Sequence, residues 1–159
     1  MNTPASTAPS VRKTVTVEAP VQIAFDVFTA GIERWWPMAS HHIGKSDCAA
    51  VVIEPWVGGR WFERGTDGTA CDWGVVQAWE PPHRVILVWQ LNAQWEHDPS
   101  LHTELDVRFT ALADGRTRVD LEHRGLEAYG EFAETMHAAL GSSNGWTGML
   151  EHYAKVAAT

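Results

Sequence analysis

The sequence predicts an α+β domain in which a curved antiparallel sheet of seven strands wraps around one long C-terminal helix, with two short helices after strand 1. Three observations lead to this fold. Apolar stretches separated by turn residues recur through 49–123 and follow a first strand near the N-terminus. The stretch 146–157 instead places its apolar residues at helical spacing. A sheet with one apolar face must bury it, and this helix is the only element long enough to cover it.

The N-terminal part of this domain contains strand 1 and the two short helices. Valines alternate with polar residues over 11–18, which is the period of a half-buried strand. Pro20 suits the start of a helix, where its missing N–H costs little, and the helix is predicted to end at Gly31. The sequence RWWP (34–37) predicts a second short helical turn that stops at the proline.

Strands and a final helix make up the rest of the chain. The predicted strands after the first are 49–55, 58–65, 71–80, 83–91, 103–112 and 117–123. Asp67 and Gly68 predict a two-residue hairpin turn between the second and third of these. A short helix is expected near 130–140, and Ser143 or Asn144 is expected to cap the last helix.

The register of the last hairpin follows from its apolar pattern. A two-residue loop would place apolar residues of one strand opposite polar residues of the other. A three-residue loop with a left-handed Gly115 instead pairs Phe109 with Val119 and Leu105 with His123. We therefore expect the three-residue loop, which turns His123 toward the C-terminal helix.

Composition restricts the classes of function. The net charge of -8 and the absence of any basic run argue against nucleic acid or an anionic membrane as a partner. The opening stretch MNTPASTAPS resembles neither a signal peptide nor a membrane segment, and residues 1–10 are expected to be a flexible tail before a single domain over 11–159. Cys48 and Cys71 form no disulfide framework or zinc pattern, so we expect a cytoplasmic protein with reduced thiols.

Six stretches, in their order along the chain, resemble one protein family: VEAPVQIAFDVFT, RWWP, VGGRW, GVVQAWEPPHRVILVW, VDLEHRGL and GWTGMLEHYAKV. They are similar to the START and birch-pollen-allergen superfamily (SRPBCC), in particular its branch named for the activator of the heat-shock-protein ATPase. The resemblance implies the helix-grip fold, with an apolar cavity between the sheet and the C-terminal helix. Members of the superfamily bind lipids, polyketides or hormones, and some are cyclases or hydrolases.

Tryptophan is unusually abundant, with nine among sixteen aromatic residues, more than a small core needs. We therefore predict a binding protein whose cavity holds an apolar or aromatic small molecule. The predicted ligand-binding residues are Trp36, His42, Trp61, Trp73, Trp89, His123, Trp146, Met149 and Tyr153. His42 is expected at the cavity mouth beside Trp36. Adjacent histidines 41 and 42 cannot present parallel rings, and no cofactor motif is present, so neither a metal nor a cofactor is expected.

A second hypothesis is a cyclase- or hydrolase-type enzyme that uses Glu63 and His123 as acid and base in the same cavity. Counting back from the predicted turn places Glu63 opposite Asp72 and Trp61 opposite Gly74. Burial then favours Glu63 outward, unless a bulge at Gly74 shifts the register. An inward Glu63 would be a carboxylic acid with a raised pKa, whereas a buried His123 would be neutral.

A third hypothesis is a cofactor of a chaperone ATPase, as the name of the resembling branch suggests. The three hypotheses make different demands on the molecule. A binding protein needs a hollow interior, and an enzyme needs Glu63 and His123 to converge on one reacting atom. A chaperone partner needs a contiguous exposed apolar patch.

Overall fold

A computed structural model, which describes residues 9–159, has the predicted α+β fold. Seven antiparallel strands form one sheet in the order β1-β7-β6-β5-β4-β3-β2. The strands are β1 Val11–Val17, β2 Cys48–Ile53, β3 Arg60–Gly65, β4 Ala70–Glu80, β5 Arg84–Trp89, β6 Thr103–Ala111 and β7 Thr117–Arg124. The helices are α1 Val21–Phe28, α2 Ala133–Leu140 and α3 Trp146–Ala157, with short 3-10 helices at Ile32–Arg34 and Leu126–Phe132.

The last hairpin has the predicted register. Phe109 pairs with Val119, and Leu105 pairs with His123. Gly115 has a φ of +86°, and Leu112 and Arg116 are hydrogen bonded across the three-residue loop between them. The inward residues of both strands are buried, so the apolar pattern alone determined which face of this hairpin meets the core.

The β3–β4 hairpin differs from the prediction. Its loop has three residues, because the N–H of Gly65 bonds to the carbonyl of Thr69 at 2.9 Å and Gly68 is left-handed, with a φ of +86°. Glu63 therefore pairs with Cys71, and the predicted pairing with Asp72 is wrong. A bulge between Asp72 and Gly74 then restores the predicted pairing of Trp61 with Gly74.

This register turns Glu63 and Trp61 inward, and both are fully buried. The expectation that burial favours Glu63 outward is wrong for a physical reason. Phe62, the apolar residue on the other face, is buried beneath two arginine side chains whose guanidinium carbons lie 4.2 and 5.5 Å from its ring centroid. Asp72 faces a cation and not a carboxylate, since it forms an ion pair with Arg60 at 2.7 Å.

Helix α3 lies against the concave face of the sheet. Its predicted apolar stripe is buried: Trp146, Met149, Leu150, Tyr153 and Ala157. Neither Ser143 nor Asn144 caps it. The N-cap is Gly145, where a Cβ would collide with the carbonyl of Leu140, so the chain turns too tightly between α2 and α3 for a side-chain cap.

The predicted ends of the first elements need small corrections. Helix α1 ends at Phe28 and not at Gly31, and the second short helix is the 3-10 turn that precedes Trp35. Most of the predicted tail lies outside the described residues, although the carbonyl of Ser10 accepts a hydrogen bond from His137 at 3.2 Å. Within residues 9–159, no helix combines the length and the apolar character of a membrane-spanning segment.

Candidate ligand-binding cavity

A cavity of about 510 Å³ opens at one end of the sheet, beside the start of α3. Its lining comes from the segment after the first 3-10 helix, from β4 and β5, from the β5–β6 loop, and from α2 and α3. The lining residues are Trp36, Ser40, His41, His42, Ile43, Trp73, Trp89, Leu91, Trp95, Ala139, Leu140, Ser142, Asn144, Gly145 and Met149. This volume falls in the range of small-molecule sites, which run from about 300 to 1,000 Å³.

Four tryptophans form the aromatic wall of this cavity. Trp36 and Trp73 lie with ring centroids 4.9 Å apart, and the bulge in β4 is what turns Trp73 inward. Trp89 ends β5, and Trp95 stands over it from the β5–β6 loop at a centroid distance of 6.5 Å. The N–H of Trp36 donates to the carbonyl of His41, and the N–H of Trp89 donates to that of Leu91. Two of the four indoles, those of Trp36 and Trp89, are thus held by the loops beside them.

Two imidazoles stand at the mouth of the cavity. Nε2 of His41 donates to the carbonyl of Asn144 at 2.6 Å, which ties the loop after Pro37 to the turn before α3. Nδ1 of His42 donates to the carbonyl of Gly44 at 3.1 Å, which assigns the neutral ring the Nδ1–H tautomer. Nε2 of His42 then carries a lone pair and makes no hydrogen bond with any residue in 9–159.

Glu63 is the buried carboxylate that holds this loop in place. It accepts hydrogen bonds from the N–H of Ile43 at 2.6 Å, the N–H of Gly44 at 3.1 Å and the indole N–H of Trp73 at 2.8 Å. Its Oε2 also lies 3.9 Å from Nδ1 of His42. Glu63 itself does not line the cavity. It therefore joins the loop that carries the histidines to the tryptophan wall.

His123 is buried in a continuous chain of hydrogen bonds. Trp146 donates to its Nδ1 at 3.1 Å, so its proton is on Nε2, which lies 2.9 Å from the hydroxyl of Thr103. That hydroxyl donates to the carbonyl of Trp89 at 2.9 Å. Burial lowers the pKa of His123 to about 3, so the ring is neutral at physiological pH, as predicted for a buried imidazole.

The predicted site residues divide into two groups. Those around the cavity are Trp36, His42, Trp73, Trp89 and Met149. Those packed behind its wall are Trp61, His123, Trp146 and Tyr153. Tyr153 donates to the carbonyl of Ala24, while the N–H of Trp61 is buried without a partner among residues 9–159. Glu63 and His123 share no hydrogen-bonding partner, and neither faces the cavity.

Several lining residues were not predicted, chiefly Trp95, His41, Ser142 and Asn144. All four lie in loops, where neither helical nor strand periodicity indicates the direction of a side chain. The sequence did contain one signal for Trp95. It is a large apolar residue in a mostly polar loop segment, 94–100, and such a residue often has a specific role. Across residues 9–159, no group of three His, Cys, Asp or Glu side chains is placed to hold a metal ion.

Comparison with known proteins decides the family. The family model described as activator of Hsp90 ATPase homolog 1-like protein matches residues 18–158. The chain belongs to this family. No curated protein matches it. The family resemblance stated from the sequence is therefore confirmed.

Solved structures of similar chains agree with this family. Txn09, described as an anthrahydroquino-γ-pyrone synthase complexed with SUM, is 38% identical over 94% of this chain and 97% of its own, with a TM-score of 0.65. CalC from Micromonospora echinospora, a self-sacrificing resistance protein, is 29% identical over 94% of each chain, with a TM-score of 0.69. The Aha1 dimer from Colwellia psychrerythraea is 14% identical, with 94% and 96% coverage and a TM-score of 0.62, and shares the fold alone.

Proposed function

We propose that this protein binds a planar, fused-ring aromatic molecule in the tryptophan cavity. The observation that carries the proposal is the wall of four indoles around a hollow of about 510 Å³. Stacking on an aromatic side chain contributes about 1–3 kcal/mol per ring. Trp95, which is 46% exposed, offers an open indole face for stacking, while Trp36, Trp73 and Trp89 are buried and supply the apolar wall. The similarity of this chain to Txn09, which is described as an anthrahydroquino-γ-pyrone synthase, supports a ligand of the fused aromatic class.

The distribution of polar groups indicates how such a ligand would be oriented. The deep wall is apolar, with Trp36, Trp73 and Met149, while the mouth carries histidine, serine and asparagine side chains. A few polar groups at one end of an apolar pocket fix the orientation of a ligand more than they add affinity. We therefore expect the rings inside and an oxygen-bearing edge of the ligand at the histidine pair, where Nε2 of His42 can accept a hydrogen bond.

Quenching of tryptophan fluorescence by alizarin, a dihydroxyanthraquinone, tests the proposal. We expect saturable quenching at one site per chain. Ala139→Trp provides a blocking variant, because Ala139 lines the cavity but is exposed, so a large side chain can enter the mouth without disturbing the core. Ala138→Trp is the matched control, since Ala138 is also exposed on α2 but does not line the cavity.

We expect Ala139→Trp to bind alizarin at least about tenfold more weakly, because the added side chain occupies space that the rings need, and Ala138→Trp to bind like the wild type. Equal binding by the two variants would place the alizarin elsewhere on the surface. Failure of the wild-type protein to bind alizarin would contradict the proposed ligand class.

A second candidate function is a ring-closing enzyme that forms a fused-ring product in the same cavity from an unfused aromatic precursor. The similarity to Txn09 and the free lone pair on Nε2 of His42 favour it. In a closure by addition, a ligand hydroxyl oxygen bonds to an unsaturated carbon as its O–H bond breaks. The proton passes to Nε2 of His42 and then to the neighbouring carbon, so atoms and charge balance without a redox partner.

The closure of 2′-hydroxychalcone to flavanone is an addition of this kind and can be followed by absorbance. An enzyme of this type would accelerate the closure, and His42→Gln would lose the acceleration while retaining alizarin binding. An unaltered rate with the wild-type protein would leave binding as the better-supported function. The chaperone hypothesis remains a prediction, which a measurement of chaperone ATPase rate with added protein would test.

A further inference from the structure

Trp95 places a bulky side chain on a backbone conformation that favours glycine. Its φ is +60°, and among residues 9–159 it is the one residue other than glycine with a positive φ. In this left-handed region the Cβ atom crowds the neighbouring carbonyl oxygen, so a large side chain is strained. Such strain persists where the surrounding structure enforces it, and it is concentrated at functional sites.

The β5–β6 loop enforces this conformation through Asn92. The side-chain oxygen of Asn92 accepts the N–H groups of Gln94 at 3.0 Å and Glu96 at 2.9 Å, and its carbonyl accepts the N–H of Trp95 at 2.9 Å. A bridge between Leu91 and His97 closes the base of the loop. The backbone around Trp95 is therefore held by hydrogen bonds on both sides of it, which fixes the direction of its Cα–Cβ bond.

The indole of Trp95 lies at the cavity mouth and is 46% exposed. It meets the ring of Trp89 edge to face, at an interplanar angle of 81°. An indole gains most of its stabilisation from burial, so the exposed part of the Trp95 indole contributes nothing that offsets the backbone strain in the empty protein. A flat ring in the cavity would bury that exposed face, and the stabilisation gained from this burial would add to the affinity for the ligand.

We propose that Trp95 is a ligand-binding residue that serves as a fixed stacking platform over the outer face of a bound planar ring and so contributes to the affinity of the cavity. This inference rests on the proposed function, because it assigns a role within the same cavity. It differs from a role in holding the loop, since the loop's hydrogen bonds come from Asn92 and the backbone. The position should therefore accept glycine without loss of stability and tolerate an aromatic ring without loss of binding.

Three substitutions of Trp95 separate these roles. Trp95→Gly removes the ring and relieves the strained φ, Trp95→Leu keeps an apolar side chain without a ring face, and Trp95→Phe keeps a ring. Trp56→Ala is the control, because Trp56 is 54% exposed but lies outside the cavity. The measurements are the dissociation constant for alizarin and the melting temperature of the unliganded protein.

We expect the glycine and leucine variants to bind alizarin at least about tenfold more weakly, and the phenylalanine variant to stay within about threefold of the wild type. The glycine variant should melt at the same temperature as the wild type or higher, and Trp56→Ala should bind normally. Glycine or leucine variants that bind as tightly as the wild type would overturn the inference, as would a glycine variant that melts well below the wild type. Failure of the wild-type protein to bind alizarin would instead overturn the proposed function, and with it this inference, which rests on that function.

Discussion

At the scale of single residues, His123 shows a buried imidazole whose partners leave it no free nitrogen. Its Nδ1 accepts from Trp146, and its Nε2 donates to Thr103. The sequence indicated the inward direction of this ring, because the alternation of Val119 and Leu121 continues to it. The sequence could not indicate that the indole N–H of Trp146, on helix α3, would donate a hydrogen bond to Nδ1, since such a contact depends on tertiary packing.

The acid sensitivity of the fold should depend on His123. Burial lowers its pKa in the folded protein to about 3, from an ordinary value of 6.5. Below about pH 6.5 the imidazole of His123 therefore binds a proton in the unfolded chain but not in the folded one. The free energy of unfolding decreases as the pH falls through this range. Over this window the slope from one such group is about 1.4 kcal/mol per pH unit.

Urea unfolding of the wild type and of His123→Gln between pH 6 and pH 4 measures this slope. We expect His123→Gln to be less stable at pH 7 but to have a shallower pH dependence, by about 1.4 kcal/mol per unit. His83→Gln is the control, because His83 is exposed and should leave the slope unchanged. Equal slopes in the wild type and His123→Gln would show that the neutral imidazole is not what acid disrupts.

At the scale of elements, the two Asp-Gly hairpins show what sequence can and cannot determine. The last hairpin was predicted correctly because both strands carry a clear apolar face. In the β3–β4 hairpin, Trp61 and Phe62 are adjacent and both buried, so apolarity does not choose the loop length. The inward direction of Glu63 follows from one extra loop residue and a bulge, and neither feature has a strong local signature.

Glu63 should act as the positioning residue for the loop that carries the histidines. Three N–H donors converge on its carboxylate, whereas the amide of Glu63→Gln offers a single acceptor oxygen. We expect that variant to lose about 1–3 kcal/mol of stability, the cost of a buried donor without a partner. It should also bind alizarin more weakly, because His42 and Trp73 are no longer held together.

Urea unfolding and fluorescence titration measure the two effects. Glu80→Gln, at an exposed position at the end of β4, is the control for the change of charge and should behave like the wild type. A Glu63→Gln variant with wild-type stability would show that the loop does not depend on the carboxylate. A lower free energy of unfolding with unchanged alizarin affinity would show that Glu63 stabilises the loop but does not position it for binding.

At the scale of the whole molecule, burial and charge separate an outer, ion-paired face of the sheet from an inner, aromatic one. The outer face carries an ion-pair network around Asp106. Burial alone would raise the pKa of this carboxyl group, but hydrogen bonds from Arg84 and Arg124 outweigh it and lower the pKa to about 2. The concave face is instead aromatic and encloses the cavity against α3. Strand alternation predicted this division, because the two faces differ in composition.

The position of the cavity was predictable from the fold, and His42 was expected at its mouth, but the other residues of the mouth were not predicted. Sheet and helix residues such as Trp73, Trp89 and Met149 follow periodic patterns that aim them inward. The mouth is made of loop residues, and their directions depend on individual hydrogen bonds, such as those of Asn92 around Trp95. The loop residues of the mouth are for this reason the ones that sequence periodicity finds last.

If a fused aromatic molecule binds in the tryptophan cavity beside the start of α3, the nine tryptophans of the chain supply nine indole N–H signals that can report it. An NMR titration with alizarin that follows these nine signals is the most direct test. We expect large, saturable shifts for the four cavity indoles, Trp36, Trp73, Trp89 and Trp95, and small ones for Trp56 and Trp79, which do not line the cavity. Shifts confined to Trp56 and Trp79, with the four cavity signals unmoved, would contradict the binding of a fused aromatic molecule in the cavity.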